Sequence, residues 1–173
     1  MISISLGATI CSHAGTFNLQ RIRSVSKQLD DLASGGGYRL AVVVGAGGAS
    51  RPYLDMARKY EERKKRIDEL AVEVSRANAM VLIAGLRARG AKVFPRPLID
   101  LREIDEDWFN TSSGMIAVLG CILPGLTSDS VAALISKRFR CPLWITSTKG
   151  RIQQTDPKNS KLKKRPDDIQ LSS

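Results

Sequence analysis

Three stretches of the 173-residue chain set glycines and small polar residues directly after apolar runs. They are Leu6-Gly7-Ala8-Thr9, then Gly45-Ala46-Gly47-Gly48-Ala49-Ser50-Arg51, and then LPGLTSD at 123–129. Such stretches suit the holding of an anion, above all a phosphate, because glycine lets backbone amides approach an oxyanion closely. In the third stretch a Pro-Gly turn leads into Thr127, Ser128 and Asp129 at the start of an apolar helix. The first amides of a helix lack intrahelical partners, and its dipole adds partial positive charge there. Arg51 ends the second stretch at another helix start, where a guanidinium can grip phosphate with two parallel hydrogen bonds. Each signal alone has a plainer reading. GAGG after a strand makes a tight turn and is neither a P-loop nor a full GxGxxG, and Thr127 or Ser128 is a good helix cap.

Other chemistries find little support. His13 is the sole histidine, so neither a Ser-His-Asp nor a Cys-His arrangement can be assembled around a well-placed base. Cys11, Cys121 and Cys141 are odd in number and widely spaced, without CxxC or Cys/His ligand spacing. That argues against a zinc site and against a disulfide framework, and it fits a cytoplasmic protein with reduced thiols.

The elements that must position the three stretches alternate between strand and helix. Residues 1–10 read as a strand with Ser at alternate positions. Residues 17–33 carry Leu19, Ile22, Val25, Leu29 and Leu32 at helical spacing, and the glycines 35–37 end that helix. RLAVVV at 39–44 is a near-continuous apolar strand of the kind buried on both faces. Helices are expected over 52–64 and 67–89, the second with Leu70, Val74, Met80, Val81 and Leu86 on its apolar side. Short strands follow at 91–94, 115–119 and 142–146, with a helix over 131–139 between the last two. The alternation predicts an α/β fold, a mostly parallel sheet with helices on both faces, whose ligands bind at the carboxyl ends of the strands. From residue 149 the chain is polar and charged without periodicity, and reads as a tail.

At 173 residues one compact domain is expected, and a hydrophobic fraction of 43% suffices for its core. No apolar run approaches the ~20 residues of a membrane helix, and the N-terminus lacks the basic start of a secretion signal. The net charge of +10 favours polyanionic partners. Its clusters are Arg58, Lys59, Arg63 to Arg66, and in the tail Lys158, Lys161, Lys163, Lys164 and Arg165. Aromatic residues are only 5% and do not interleave with these cations, which argues against single-strand nucleic acid and for a solvated helix face and a basic tail.

Four segments come in an order that matches a family: VVVGAGGASRPYLDMARKY, IDELAVEVSRANAMVLIAGL, PGLTSDSVAALIS, and ITSTKG with TDPK downstream. The chain resembles the archaeal-type uridylate (UMP) kinases of the amino-acid kinase superfamily, most specifically in SRANAMVLIA and in PGxTxDxVAALI. The resemblance runs from the first strand to TDPK. It implies a three-layer αβα sandwich over 1–148, and a basic segment 149–173 that begins a shortened ATP-binding half. It implies ATP, UMP and Mg²⁺, and a homo-oligomer, either a dimer or a hexamer built from dimers.

By position, the resemblance puts Gly7, Ala8 and Thr9 on the loop that holds ATP phosphates. Ala46 falls on the UMP side of the second loop and Gly47 on its ATP side. Arg51 is the arginine that reaches phosphate, a catalytic position shared with Lys149. Asp68 takes the place of an acid that binds UMP. Ile122, Leu123, Pro124, Gly125, Leu126, Thr127 and Ser128 form the loop around UMP, which Asp129 closes. Thr146, Ser147, Ile152 and Asp156 hold the ATP base and ribose. SRANAMVLIA is expected to be a packed helix, from which Arg76 or Asn78 can face a neighbour or ligand. The chain departs from the family at Ala8 and Ala46 where glycine is usual, at Lys149 where Asp is usual, and at Ile152 where Tyr is usual. The acceptor loop is also more apolar, at Cys121, Ile122, Leu123 and Leu126. These departures keep two other readings open: a degenerate nucleotide binder or oligomeric subunit, and, on charge alone, a nucleic-acid or anion binder.

Overall fold

A computed structural model describes residues 1–7, 18–60, 62–104 and 114–146, and the backbone of strand 152–155. Its centre is a five-stranded sheet in the order β3-β2-β1-β4-β5. The strands are β1 (Ile2–Gly7), β2 (Leu40–Val44), β3 (Ile116–Leu119), β4 (Leu143–Thr146) and β5 (Ile152–Thr155). β1 to β4 are parallel, and β5 runs antiparallel to β4, with Leu143 opposite Thr155 and Thr146 opposite Ile152. The sheet thus continues past residue 148, through a strand, IQQT, too short and polar for hydropathy to reveal.

The helices are α1 (Leu19–Gly36), α2 (Arg51–Lys59), α3 (Lys64–Arg87) and α4 (Ser128–Phe139). Chain direction explains which face each takes. The path β1 to β2 to β3 steps one way across the sheet, and the path from β3 to β4 steps back past β2 and β1. Right-handed crossovers then place the intervening helices on opposite faces. α1 and α3 accordingly cover one face, where Ile22, Val25, Leu29, Ala79, Leu82, Ile83 and Leu86 pack against Ile2, Ile4, Leu6, Leu40, Val42 and Val44. α4 covers the other, with Val131, Ala132 and Ile135 against Ala41, Val43, Ala117 and Leu119. This is a three-layer αβα arrangement.

Strand alternation does the sorting. In β1, Ile2, Ile4 and Leu6 face α1 and α3, so Ser3 and Ser5 face α4. Buried hydroxyls need partners, and they have them. Ser3 Oγ donates to Ala132 O at 2.8 Å and Ser5 Oγ to Asp129 Oδ1 at 2.6 Å. β2 is an interior strand, buried along its whole length, as its apolar run predicts. α1 begins at Asn18, whose side chain accepts from Arg21 N, and ends at Gly37 with φ 62.

Three expectations are corrected. Residues 91–94 form no strand: Val93 and Leu98 make single parallel bridges to Ile116 and Leu119. Pro95 and Pro97 lack the N–H that would continue a ladder there. Leu19, expected on the core side of α1, is 60% exposed, and Ala33 is buried at the far end instead. Met80, expected on the apolar side of α3, is 61% exposed. α3 is apolar on more than one side, so periodicity alone misjudges which stripe meets the sheet. The stripe that does is Val72, Ser75, Asn78, Ala79, Leu82, Ile83 and Leu86. No helix among the described residues is long and apolar enough to cross a membrane.

Candidate functional site

The parallel strands end on one edge, and their loops enclose a cleft of about 430 Å³. Gly7 comes from the end of β1, and Gly45, Ala46 and Gly47 from the end of β2. Cys121, Gly125, Leu126, Thr127 and Ser128 come from the connection between β3 and α4, and Asp68, Ala71 and Val72 from α3. The three glycine-bearing stretches singled out by sequence therefore do meet.

Glycine suits the backbone where they meet. Gly45 N donates to Gly7 O at 2.8 Å, and a Cβ on Gly45 would stand 3.1 Å from that carbonyl and 3.3 Å from Ser128 Oγ. Gly7 and Gly47 adopt φ 52 and φ 58, a region glycine enters without strain. A 3₁₀ turn at Gly47–Ser50 follows, closed by Ser50 Oγ donating to Gly47 O, and it leads directly into α2.

The third loop is built the same way. Leu126 N donates to Leu123 O across Pro124-Gly125, and Gly125 has φ 84, as a type II turn requires. Thr127 then caps α4: its Oγ1 accepts from Ser130 N at 3.1 Å. The plain cap and the anion site prove to be compatible. Capping satisfies one amide, while Thr127 and Ser128 still bring the positive end of α4 to the cleft wall.

The glycine loops are held from behind by α3. Asn78 Nδ2 donates to Gly45 O at 2.9 Å and to Ala46 O at 3.0 Å. Ser75 Oγ accepts from Cys121 N at 2.7 Å and donates to Val72 O at 2.7 Å. Sequence reasoning placed Asn78 on a helix able to face a ligand or neighbour; its partners are carbonyls of its own chain. Ala71 and Val72 were missed as lining residues. Their signal was present, since they lie three and four positions after Asp68 and so on its helix face.

Other nominated residues lie elsewhere. Arg51 is exposed at the first position of α2 and does not line the cleft. Asp129 is outside the lining and turns its carboxylate to Ser5. Ile122 packs with the α4-side core, and Leu123 and Pro124 are exposed. Thr146 is buried and donates to Ser5 O at 3.1 Å. Ala8, Thr9, Ser147, Lys149 and Asp156 lie outside the described residues, as does the side chain of Ile152.

Electrostatically the described lining is sparse. Asp68 is its one charged side chain, and backbone amides and hydroxyls supply the remaining polarity. Burial pushes the Cys121 thiol above its ordinary range, against a smaller opposing pull from the Ser75 hydroxyl, so it stays a neutral wall group. No three His, Cys, Asp or Glu side chains gather around a common point among the described residues.

Comparison with known proteins agrees with this geometry. The amino acid kinase family model matches residues 4–172. A uridylate kinase of Methanoculleus marisnigri is 35% identical over 159 residues, which are 91% of this chain and 63% of that protein. A uridylate kinase of Aeropyrum pernix is 37% identical over 132 residues, 76% of this chain and 54% of that one. The chain thus spans between half and two thirds of the length of these relatives. The crystal structure of uridylate kinase from Archaeoglobus fulgidus superposes with TM-score 0.72 at 23% identity, covering 97% of this chain and 70% of the other.

Proposed function

The chain belongs to the amino acid kinase family, and from that membership we propose that it transfers the γ-phosphoryl group of ATP to UMP, giving UDP and ADP, a step of pyrimidine nucleotide synthesis. The observation that carries the reading is the single cleft in which three glycine-bearing loops and the start of α4 meet. Phosphoryl transfer asks a protein chiefly to align donor and acceptor and to stabilise charge on the moving group. A phosphate oxygen of UMP attacks the γ-phosphorus, and the bond to the β,γ-bridging oxygen breaks as ADP departs. Gly7 and Gly47 would hold ATP phosphates with their amides, together with Ala8 and Thr9. Asp68, Ala46 and residues 125–128 would hold UMP. Lys149 would bring positive charge to the reacting phosphates, as would Arg51 by reaching in from outside the described lining. Bound Mg²⁺ supplies further neutralisation of the phosphate chain.

A homo-oligomer and a cytoplasmic location belong to the same proposal, as does a nucleotide-base role for the segment from 149 onward, whose strand β5 joins the same sheet. The outward side of α3 carries Val74, Ala77, Met80 and Ala84, an apolar stripe suited to a second copy. Cys121 and Cys141 are free thiols.

A second reading, a nucleotide binder without turnover, is favoured by the cleft lining, where Val72, Cys121 and Leu126 stand and no Lys or Arg appears among the described residues. One assay separates the readings: ADP release from ATP and Mg²⁺ with UMP, with CMP, or with no acceptor. Turnover with UMP alone is expected. Nucleotide binding without turnover would replace the kinase by the binder, and a gel shift of nucleic acid that collapses with salt would overturn both.

A further inference from the structure

We infer that Asn78 and Ser75 are positioning residues that aim the backbone amides of the cleft, an inference resting on the reading of that cleft as a nucleotide site. Both are buried, at 1% and 0% exposure, and sit three positions apart on the sheet-facing side of α3. That side otherwise carries Val72, Ala79, Leu82, Ile83 and Leu86. A buried amide or hydroxyl in such a stripe is costly unless bonded, and among the described residues each bond these two side chains make to another element goes to a loop of the cleft. Asn78 takes the carbonyls of Gly45 and Ala46. Ser75 takes the amide of Cys121.

Peptide geometry turns this grip into an orientation. In a planar trans peptide the C=O of one residue and the N–H of the next point in opposite directions. With the carbonyls of Gly45 and Ala46 drawn toward Asn78, the N–H groups of Ala46 and Gly47 must point away from it. Neither amide donates to another group among the described residues. They are two adjacent, unspent donors on a loop that lines the cleft, the arrangement that binds phosphate oxygens. Ser75 works on a second wall, fixing Cys121 where β3 gives way to the turn before α4. α3 also contributes Asp68, Ala71 and Val72 to the lining. One helix therefore touches the ligand and sets both neighbouring walls, so the separation and aim of the walls depend on Asn78 and Ser75.

The test uses the full chain, with ATP–Mg²⁺ and UMP affinities measured by calorimetry over a range of pH. Asn78→Asp keeps the shape but donates only when protonated. Its nucleotide affinity is expected to fall about ten-fold at neutral pH, the effect of hydrogen bonds to a charged group, and to recover as pH is lowered, while the wild type shows no such recovery. Ser75→Ala, which deletes a single hydroxyl and is the variant expected to fold readily, should weaken UMP more than ATP. If both variants bind as tightly as wild type with unchanged pH profiles, or lose ATP and UMP equally and only in step with melting temperature, the positioning role is overturned. If wild-type protein itself binds neither nucleotide, the nucleotide reading falls first and this inference with it.

Discussion

Replacing Gly120 with Ala tests how closely α3 must approach the end of β3. A Cβ at that position would stand 2.8 Å from Arg76 N, 2.8 Å from Ser75 Oγ and 3.0 Å from Arg76 Cα. Two of these three atoms are helix backbone and cannot swing aside, so α3 and the loop must separate. Overpacking of this kind costs about 1–3 kcal/mol. The Ser75 hydroxyl is also pushed from Cys121 N, now at 2.7 Å, and losing a buried hydrogen bond adds about 1 kcal/mol. A total near 3 kcal/mol corresponds to a fall in Tm of about 6–12 °C for a chain of this size. Gly35→Ala is the control. A Cβ there meets nothing within 4 Å, Gly35 has no positive φ, and it lies within α1. Alanine in a helix stabilises by about 0.4–1 kcal/mol through the unfolded state. Thermal and urea unfolding of both variants should therefore move in opposite directions. A Gly120→Ala protein that melts within a degree of wild type would refute the close-approach argument, and with it the rigid bracing of the cleft by α3.

Other outcomes follow from particular groups. The Arg102 guanidinium and backbone amide hold Asp100 at a pKa of about 2, below the ordinary 3.8. A depressed carboxyl stabilises the fold above its unfolded pKa and loses that contribution as pH falls from about 3.8 through about 2. Asp100→Asn should therefore narrow the difference in urea midpoint between neutral pH and pH near 2, and an unchanged difference would count against the pairing. If Lys149 supplies positive charge to the reacting phosphates, Lys149→Asp should abolish turnover in the ADP-release assay. A rise in turnover would mark Lys149 as a defect of the site.

Much of the architecture could be read in the chain because it follows from local rules. Alternation in β1, the apolar run of β2 and the glycines that close α1 each report the immediate surroundings of a few residues. The glycine stretches were legible as turns for the same reason, since the positive φ of Gly7, Gly47 and Gly125 is a local need. Where the reading failed, distant parts of the chain decided. Periodicity offered α3 more than one apolar stripe, and the choice among them depends on where the sheet lies. Residues 91–94 look like a strand, but two prolines nearby and a neighbouring edge at β3 allow only single bridges. Asp129 sits at a helix start, and its carboxylate accepts from Ser5, 124 positions away in sequence, a pairing no local pattern announces.

By itself the sequence determined the α/β class, the family, and three glycine-bearing loops, because hydropathy period, glycine and turn chemistry act over a few residues. Only the tertiary structure decided that these loops share one cleft. It also decided that Asp68, Ala71 and Val72 complete the lining while Arg51 and Asp129 stand outside it, and that Ser75 and Asn78 grip the walls from behind. Those facts depend on the right-handed crossovers that gather the strand ends, and on which side of α3 is pressed against them. Both are consequences of packing between segments far apart in the chain.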